Sequence, residues 1–198
     1  MPFATAAKNV MLDALTVDLV SLHSDYPGTD GLSNELSGGS PAYARLAITM
    51  SAASGGNRDS STQPQFDVPS GADVAVIGFW TNTGTVFRGW APNGAASNTP
   101  QAAFALDTGD TIESVGHGLS DDDRVFMYPL ADALPGGLSE SVLYHVVNST
   151  TDDFQVSLTQ GGSAVAITAD GDLVYQQCIV ESFAQQGTFT LSDADLSL

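Results

Sequence analysis

Three consecutive carboxylates, Asp121, Asp122 and Asp123, follow His117 in the stretch ESVGHGLSDDDRVFMYP, Glu113 to Pro129. Carboxylates beside an imidazole are the ligand types of a metal site and the acid and base of general catalysis. A metal ion, however, needs ligands that converge. In an extended strand neighbouring side chains point to opposite faces, so the three aspartates reach one ion only if the chain turns there. A turn has its own use for them: Gly118 tolerates positive φ, and the carboxylates accept backbone N–H bonds. The segment is therefore read as a turn opening a strand, with calcium as the alternative. The second acidic cluster, TADGDL with Asp170 and Asp172, lacks the spacing and distal Glu of an EF-hand and is again read as a turn. STTDDF, 149–154, is read as a polar hairpin loop.

Nucleophilic catalysis requires a Ser, Thr or Cys with a base held by a third group. The chain has no G-x-S-x-G elbow, H-E-x-x-H pair or phosphate-binding loop. His23, His117 and His145 stand in no recognisable catalytic context, and no spacing supports a glycosidase carboxylate pair. His145 in LYHVVN faces away from Tyr144 and Val146 by strand alternation, which suits a solvent or interface position. Cys178 lies in a strand-like run with nothing basic nearby to lower its pKa, so it is read as an inert buried thiol. No cofactor motif is present. The expectation is a protein that is not an enzyme and carries no cofactor or metal.

Aromatic residues offer a different chemistry. Trp80 and Trp90, with Phe79, Phe87 and Tyr43, have the faces of a sugar-stacking platform if exposed, and of a core if buried. Core packing is favoured, because they flank the most apolar strand. Arg88, within FRGW, is positioned to pair with a carboxylate of a neighbouring subunit. Tyr26, Trp80, Arg88 and Trp90 are the residues assigned to interface or ligand contact.

The elements that must carry these residues are short. Twenty Gly, nine Pro and many Ser, Thr, Asn and Asp supply turns at close intervals, the composition of an all-β chain. One helix is expected over residues 5–15, with Thr5 as N-cap and Ala7, Val10, Met11, Ala14 and Leu15 as its apolar stripe. The loop Ser24 to Pro41 contains too much Gly, Pro, Asp and Asn for a continuous element. YARLAITM, 43–50, alternates like a half-buried strand. ADVAVIGFW, 72–80, reads as a strand covered on both faces, with TVFRGW, 85–90, its hairpin partner across the turn TNTG. From Asp107 to Gln176 the chain becomes a series of short strands, after which CIVESF and GTFTL resume the earlier style. APNGAASNTPQ, 91–101, reads as a linker. A nested arrangement follows: a host domain of residues 1–104 plus 177–198, and an inserted small β-domain over 107–176.

Charge restricts the partners. Five Lys and Arg against 23 Asp and Glu give a net charge of -18 over 198 residues, a field that repels phosphate and anionic lipid heads. Nucleic acid and membrane insertion are not expected, and no apolar run approaches the roughly 18 residues of a bilayer span. The N-terminus MPFATAAKNVML lacks a secretion signal, and a single Cys gives no intrachain disulfide, so folding in a cytoplasm is expected.

Several blocks resemble a known family. AAKNVMLDAL, VSLHSDYPGTDGLSNELSGGSPAYARLAITM, FDVPSG and ESFAQQGTFTLSDADLSL, in that order, resemble minor tail or tail fibre proteins of tailed bacteriophages. The stretch from Ser114 to Thr159 is similar to a β-module of phage tail proteins patterned His-Gly-Leu, Leu-Pro-x-Gly-Leu, Tyr-x-Val-Val and Phe-x-Val-Ser. At LSDDDRV that module often carries a glycine before the aspartate, where this chain has Asp122. Low charge and frequent turns make the expected architecture an all-β fold, a β-sandwich of jelly-roll type with a short N-terminal helix and the inserted β-domain. The resemblance implies a virion component, folded in the host bacterial cytoplasm, assembled in multiple copies and partnered by other virion proteins and by copies of itself. Minor tail or tail-tip protein is the leading expectation; capsid decoration and a module binding glycans of the host cell surface are the alternatives. Docking is expected through the N-terminal helix and the loop 24–41, with the inserted module projecting outward.

Overall fold

The computed structural model describes residues 3–81, 85–95 and 97–197. The chain divides into two compact units, one discontinuous in sequence, Met1–Ala91 with Glu181–Leu198, and one continuous, Pro92–Val180. It is all-β apart from one short helix.

The first part of the discontinuous unit holds α1 (Thr5–Ala14), β1 (Leu19–His23), β2 (Leu46–Ala47), β3 (Asn57–Asp59), β4 (Gln65–Val68), β5 (Ala72–Val74), β6 (Val76–Trp80) and β7 (Phe87–Pro92). The continuous unit holds β8 (Gln101–Leu106), β9 (Thr111–Glu113), β10 (Arg124–Pro129), β11 (Tyr144–Val147), β12 (Asp153–Ser157) and β13 (Gly171–Cys178). The returning chain adds β14 (Glu181–Phe183), β15 (Gly187–Thr190) and β16 (Asp195–Ser197).

In the discontinuous unit a four-stranded sheet has the order β2-β1-β6-β7. The returning strands pair in reverse sequence with progressively earlier ones, β14 with β5, β15 with β4 and β16 with β3, all antiparallel. Val20 and Leu22 of β1 and Ile77 and Phe79 of β6 pack on Phe66, Val68 and Phe189 from the β4–β15 ladder in one core. Every residue of β6 is buried, as its unbroken apolar sequence implies, because both faces of the strand are covered. The second face is closed by polar groups, described below. Thr81 N–H donates to Val86 O at the base of the β6–β7 connection; residues 82–84 of the expected TNTG turn lie outside the described residues.

The continuous unit is a closed antiparallel barrel, order β10-β11-β12-β9-β8-β13, with β13 returning to β10. Alternate residues fill it: Val125 and Met127, Tyr144 and Val146, Phe154 and Val156, Leu173 and Tyr175, with Ala105 and Ile112. A barrel this narrow has room inside only for its own side chains. Closure also removes the sheet edges that would otherwise invite pairing with other chains.

Three expectations are corrected here. Gln101, read as the end of a linker, and residues up to 104, read as the end of the host segment, belong to the barrel strand Gln101–Leu106, bonded to β9 and β13. Its small residues hide a strand signal that its partners supply. CIVESF is not one strand: Cys178 ends β13, whereas Glu181–Phe183 pairs with β5. The third correction concerns the helix. Its N-cap is Ala4, without a side-chain cap bond, and Thr5 is the first helical residue. Of its side chains Leu12 is the buried one, and of the expected inward stripe only Leu15, just past the helix, packs on the core; Ala7 and Ala14 are exposed, Val10 is 69% exposed and Met11 45%. Polar anchors decide this. Asn9 Oδ1 accepts from Gly56 N at 2.8 Å, Asp13 Oδ1 accepts from Ala53 N at 2.8 Å, and Arg58 Nη1 donates to Leu12 O and Leu15 O at 3.0 and 2.7 Å.

Candidate functional site

The His117 to Asp123 segment is a turn whose polar atoms are used locally. Leu119 N–H donates to His117 Nδ1 at 2.9 Å, which leaves the proton on Nε2 for Asp153 O at 3.3 Å, while the ring meets Phe154 edge-on. The aspartates diverge. Asp121 Oδ1 accepts from Ser149 N at 2.8 Å, Asp122 Oδ2 from Gln160 Nε2 at 3.1 Å and Asp123 Oδ2 from Ser120 N at 2.8 Å. Asp170 accepts from Asp107 N at 2.8 Å, tying β8 to the start of β13. Among the described residues no group of three or more His, Cys, Asp or Glu side chains is placed to hold a metal ion. Asp122, where the resembling module often has a glycine, sits at φ 72°, the left-handed region that glycine enters freely and aspartate with some strain.

A grouping that sequence reasoning passed over lies on the second face of β6. Ser21 and His23 alternate onto one side of β1, and Ser21 stands opposite Gly78. His23 Nδ1 bonds Ser33 O at 2.9 Å; a carbonyl only accepts, so the proton is on Nδ1 and Nε2 is an acceptor. Ser21 O–H therefore donates to His23 Nε2 at 2.7 Å and itself accepts from Trp80 Nε1–H at 2.8 Å. This is a serine, a base and a group orienting the base, the arrangement of an activated nucleophile. Ser21 and His23 are nevertheless fully buried, and Trp80 is 2% exposed. No substrate reaches the hydroxyl in this structure, and burial holds the imidazole pKa below its ordinary value. A Cβ at Gly78 would come within 2.8 Å of His23 Nε2 and collide with Ser21 Oγ, so glycine leaves the room in which the relay is built.

The relay fastens the loop that follows β1. Ser33 O is held by His23, Ser24 N–H donates to Asn34 O and Leu36 N–H to Leu22 O. Glu35 receives Arg45 in a two-pronged bond, Nε to Oε1 at 2.7 Å and Nη2 to Oε2 at 2.6 Å. The same guanidinium lies 3.5 Å from the centre of the Trp80 ring. Leu22 N–H donates to the Tyr43 hydroxyl at 2.8 Å, and burial pushes the pKa of that phenol upward. Gly31, at φ 73°, passes directly over Trp80 and Phe87, where a Cβ would strike both rings.

The residues singled out for contact are thus distributed unevenly. Trp80 is core and presents no face to a ligand. Tyr26 and Trp90 are half-buried and meet edge-to-face at 5.6 Å. Arg88 is exposed and donates to Thr16, Nη2 to Oγ1 at 3.0 Å and Nε to the carbonyl at 3.3 Å, within its own chain. His145 is half-buried opposite Arg124, and Cys178 is a buried free thiol. Among the described residues no helix is long and apolar enough to cross a membrane.

The chain matches no protein-family model, no curated protein and no solved structure.

Proposed function

We propose that this chain is a non-enzymatic structural component of a tailed-bacteriophage virion, a minor tail or tail-tip protein that acts by docking on other virion proteins in multiple copies. The observation that carries the reading is helix α1, anchored by Asn9, Asp13 and the buried Leu12 and offering Val10 and Met11 outward. An exposed apolar face on a fixed element is what a docking protein presents before assembly. Two features support the same reading. The serine, histidine and aspartates with catalytic potential bond to the chain's own groups, and the net charge of -18 keeps a component soluble at high local concentration. The resemblance of the sequence blocks to tail proteins supplies the kind of particle. Within this reading the discontinuous unit is taken as a sandwich of jelly-roll type, its four-stranded sheet facing the ladders of the returning strands across one core.

Tryptic mass spectrometry of purified particles, made from the genome encoding this chain, tests the proposal. The expected result is the intact chain at several copies per particle, with a cryo-electron map locating it on the tail. Its absence from purified particles contradicts the proposal, and a position on the head lattice selects capsid decoration instead.

A further inference from the structure

Residues 24–36 form a loop that is bonded within itself. Ser24 N–H donates to Asn34 O at its neck, Asn34 Nδ2 to Tyr26 O at 2.8 Å, Ser33 N–H to Pro27 O at 2.9 Å and Leu32 N–H to Asp30 Oδ1 at 3.1 Å. A loop closed by its own groups is a compact body that can shift as one piece. It lies over aromatic rings: Gly31 passes across Trp80 and Phe87, and Tyr26 meets Trp90 edge-on. Beneath it Ser21 and His23 are fully buried. The bond from His23 Nδ1–H to Ser33 O ties the body of the loop to β1.

That tie is built for a neutral ring. Nε2 accepts the Ser21 proton, so a proton added at Nε2 forces the Ser21 hydroxyl to turn while its oxygen still accepts from Trp80 Nε1–H. Space for the turn is short, because Ser21 Oγ, His23 Nε2 and the Phe87 ring crowd the same side of Gly78. The nearby carboxylate is already engaged. Glu35 faces His23 across a β-bridge and binds Arg45 through both oxygens, and the Arg45 guanidinium repels a second cation. Tyr43 adds a neutral phenol that donates to Glu35 Oε1 at 3.4 Å. Asp25 and Asp30 accept from Tyr26 N–H and Leu32 N–H within the loop. From β6 and β7 the neighbours are Gly78, Trp80 and Phe87, which bring no charge. Burial in this setting lowers the His23 pKa, so the closed loop takes up a proton less readily than an open one. The stability that the neutral ring lends to the closed loop is complete above 6.5 and is lost as pH falls from there toward the closed-state value. Lifting the loop gives the charged ring the water it needs.

We propose that loop 24–36 is a lid held shut by neutral His23, and that protonation of His23 lifts it from the sheet and uncovers Trp80 and Phe87 while the rest of the unit stays folded. The test is amide exchange of the full chain at pH 7.5 and pH 5.5, each corrected for the intrinsic exchange rate. Amides of 24–36 lose at least tenfold in protection at the lower pH, whereas those of β4 and β15 keep theirs. In His23→Gln, whose side chain does not titrate, the corrected protection of the loop is the same at both pH values. A second reading does not depend on that variant. Trp90→Phe leaves Trp80 as the sole tryptophan, and acrylamide quenching of its fluorescence rises about twofold or more between pH 7.5 and pH 5.5 as the ring is uncovered. Loop protection in the wild type that does not change with pH overturns the proposal, as does quenching of Trp80 that stays constant. A loss shared equally by β4 and β15 overturns it as well, because the unit then opens as a whole, and so does a pH dependence that His23→Gln retains. The lid stands apart from the virion reading, and the failure of one leaves the other in place.

Discussion

At the scale of single residues, the buried Ser21 has the clearest consequence. Ser21→Ala removes the acceptor for Trp80 Nε1–H and the donor to His23 Nε2, leaving two buried polar groups unsatisfied. The expected cost is about 2 kcal/mol, read as a lower urea midpoint at constant slope. His23 adds a dependence on pH. Its pKa in the folded chain is depressed, so the unfolded chain binds the proton more readily. The stability contributed by the neutral ring is complete above the unfolded value of 6.5 and is lost as pH falls from there toward the folded value. Urea midpoints should therefore drop between pH 7.5 and pH 5 more steeply in the wild type than in His23→Gln, which does not titrate; equal slopes contradict the assignment. Gly118 offers a purely conformational test. Its φ of 70° has open space where a Cβ would go, so Gly118→Ala should cost about 1 kcal/mol through backbone strain alone.

At the scale of elements, α1 depends on Arg58. Arg58→Ala removes the guanidinium that donates to Leu12 O and Leu15 O and pairs with Asp13. Amide exchange over residues 8–14 should accelerate at least tenfold while the barrel strands keep their protection; uniform protection in both would contradict the anchoring role. The same helix shows where sequence reasoning stops. Its apolar period was visible in Ala7, Val10, Met11, Ala14 and Leu15, but period does not say which way a face points: Leu15 alone of these packs on the core, and Asn9 and Asp13 found backbone donors in the 53–56 segment that lies far away in sequence. Barrel strands were legible for the opposite reason. Phe154 and Val156 alternate with Asp153, Gln155 and Ser157, and a filled interior accepts only the apolar face. The Asp121–Asp123 turn was legible from Asx chemistry. The Ser21–His23–Trp80 relay was not: VSLH shows the alternation, but the partners Ser33 and Trp80 come from other elements.

At the scale of the whole molecule, the two units have separate cores, one around Leu22, Phe66, Phe79 and Phe189 and one around Val125, Tyr144, Phe154 and Tyr175. Short strands, turns and the return of the chain near Cys178 were visible in composition. The strand Gln101–Leu106 was not, since alanines carry little β-propensity and its place is set by β9 and β13. Entry to and exit from the continuous unit are bonded to each other: Ile179 N–H donates to Asn93 O at 2.9 Å, and Asn93 Nδ2 donates to Ile179 O at 3.0 Å. A short bridge can therefore span the gap left when everything between them is removed. The central claim is that the docking unit is complete without the barrel. Its most direct measurement is calorimetric unfolding of a variant in which Gly94–Cys178 is replaced by a short Gly-Ser bridge. The expected result is a soluble protein with one cooperative transition; an insoluble chain, or a broad transition without cooperativity, would contradict the claim.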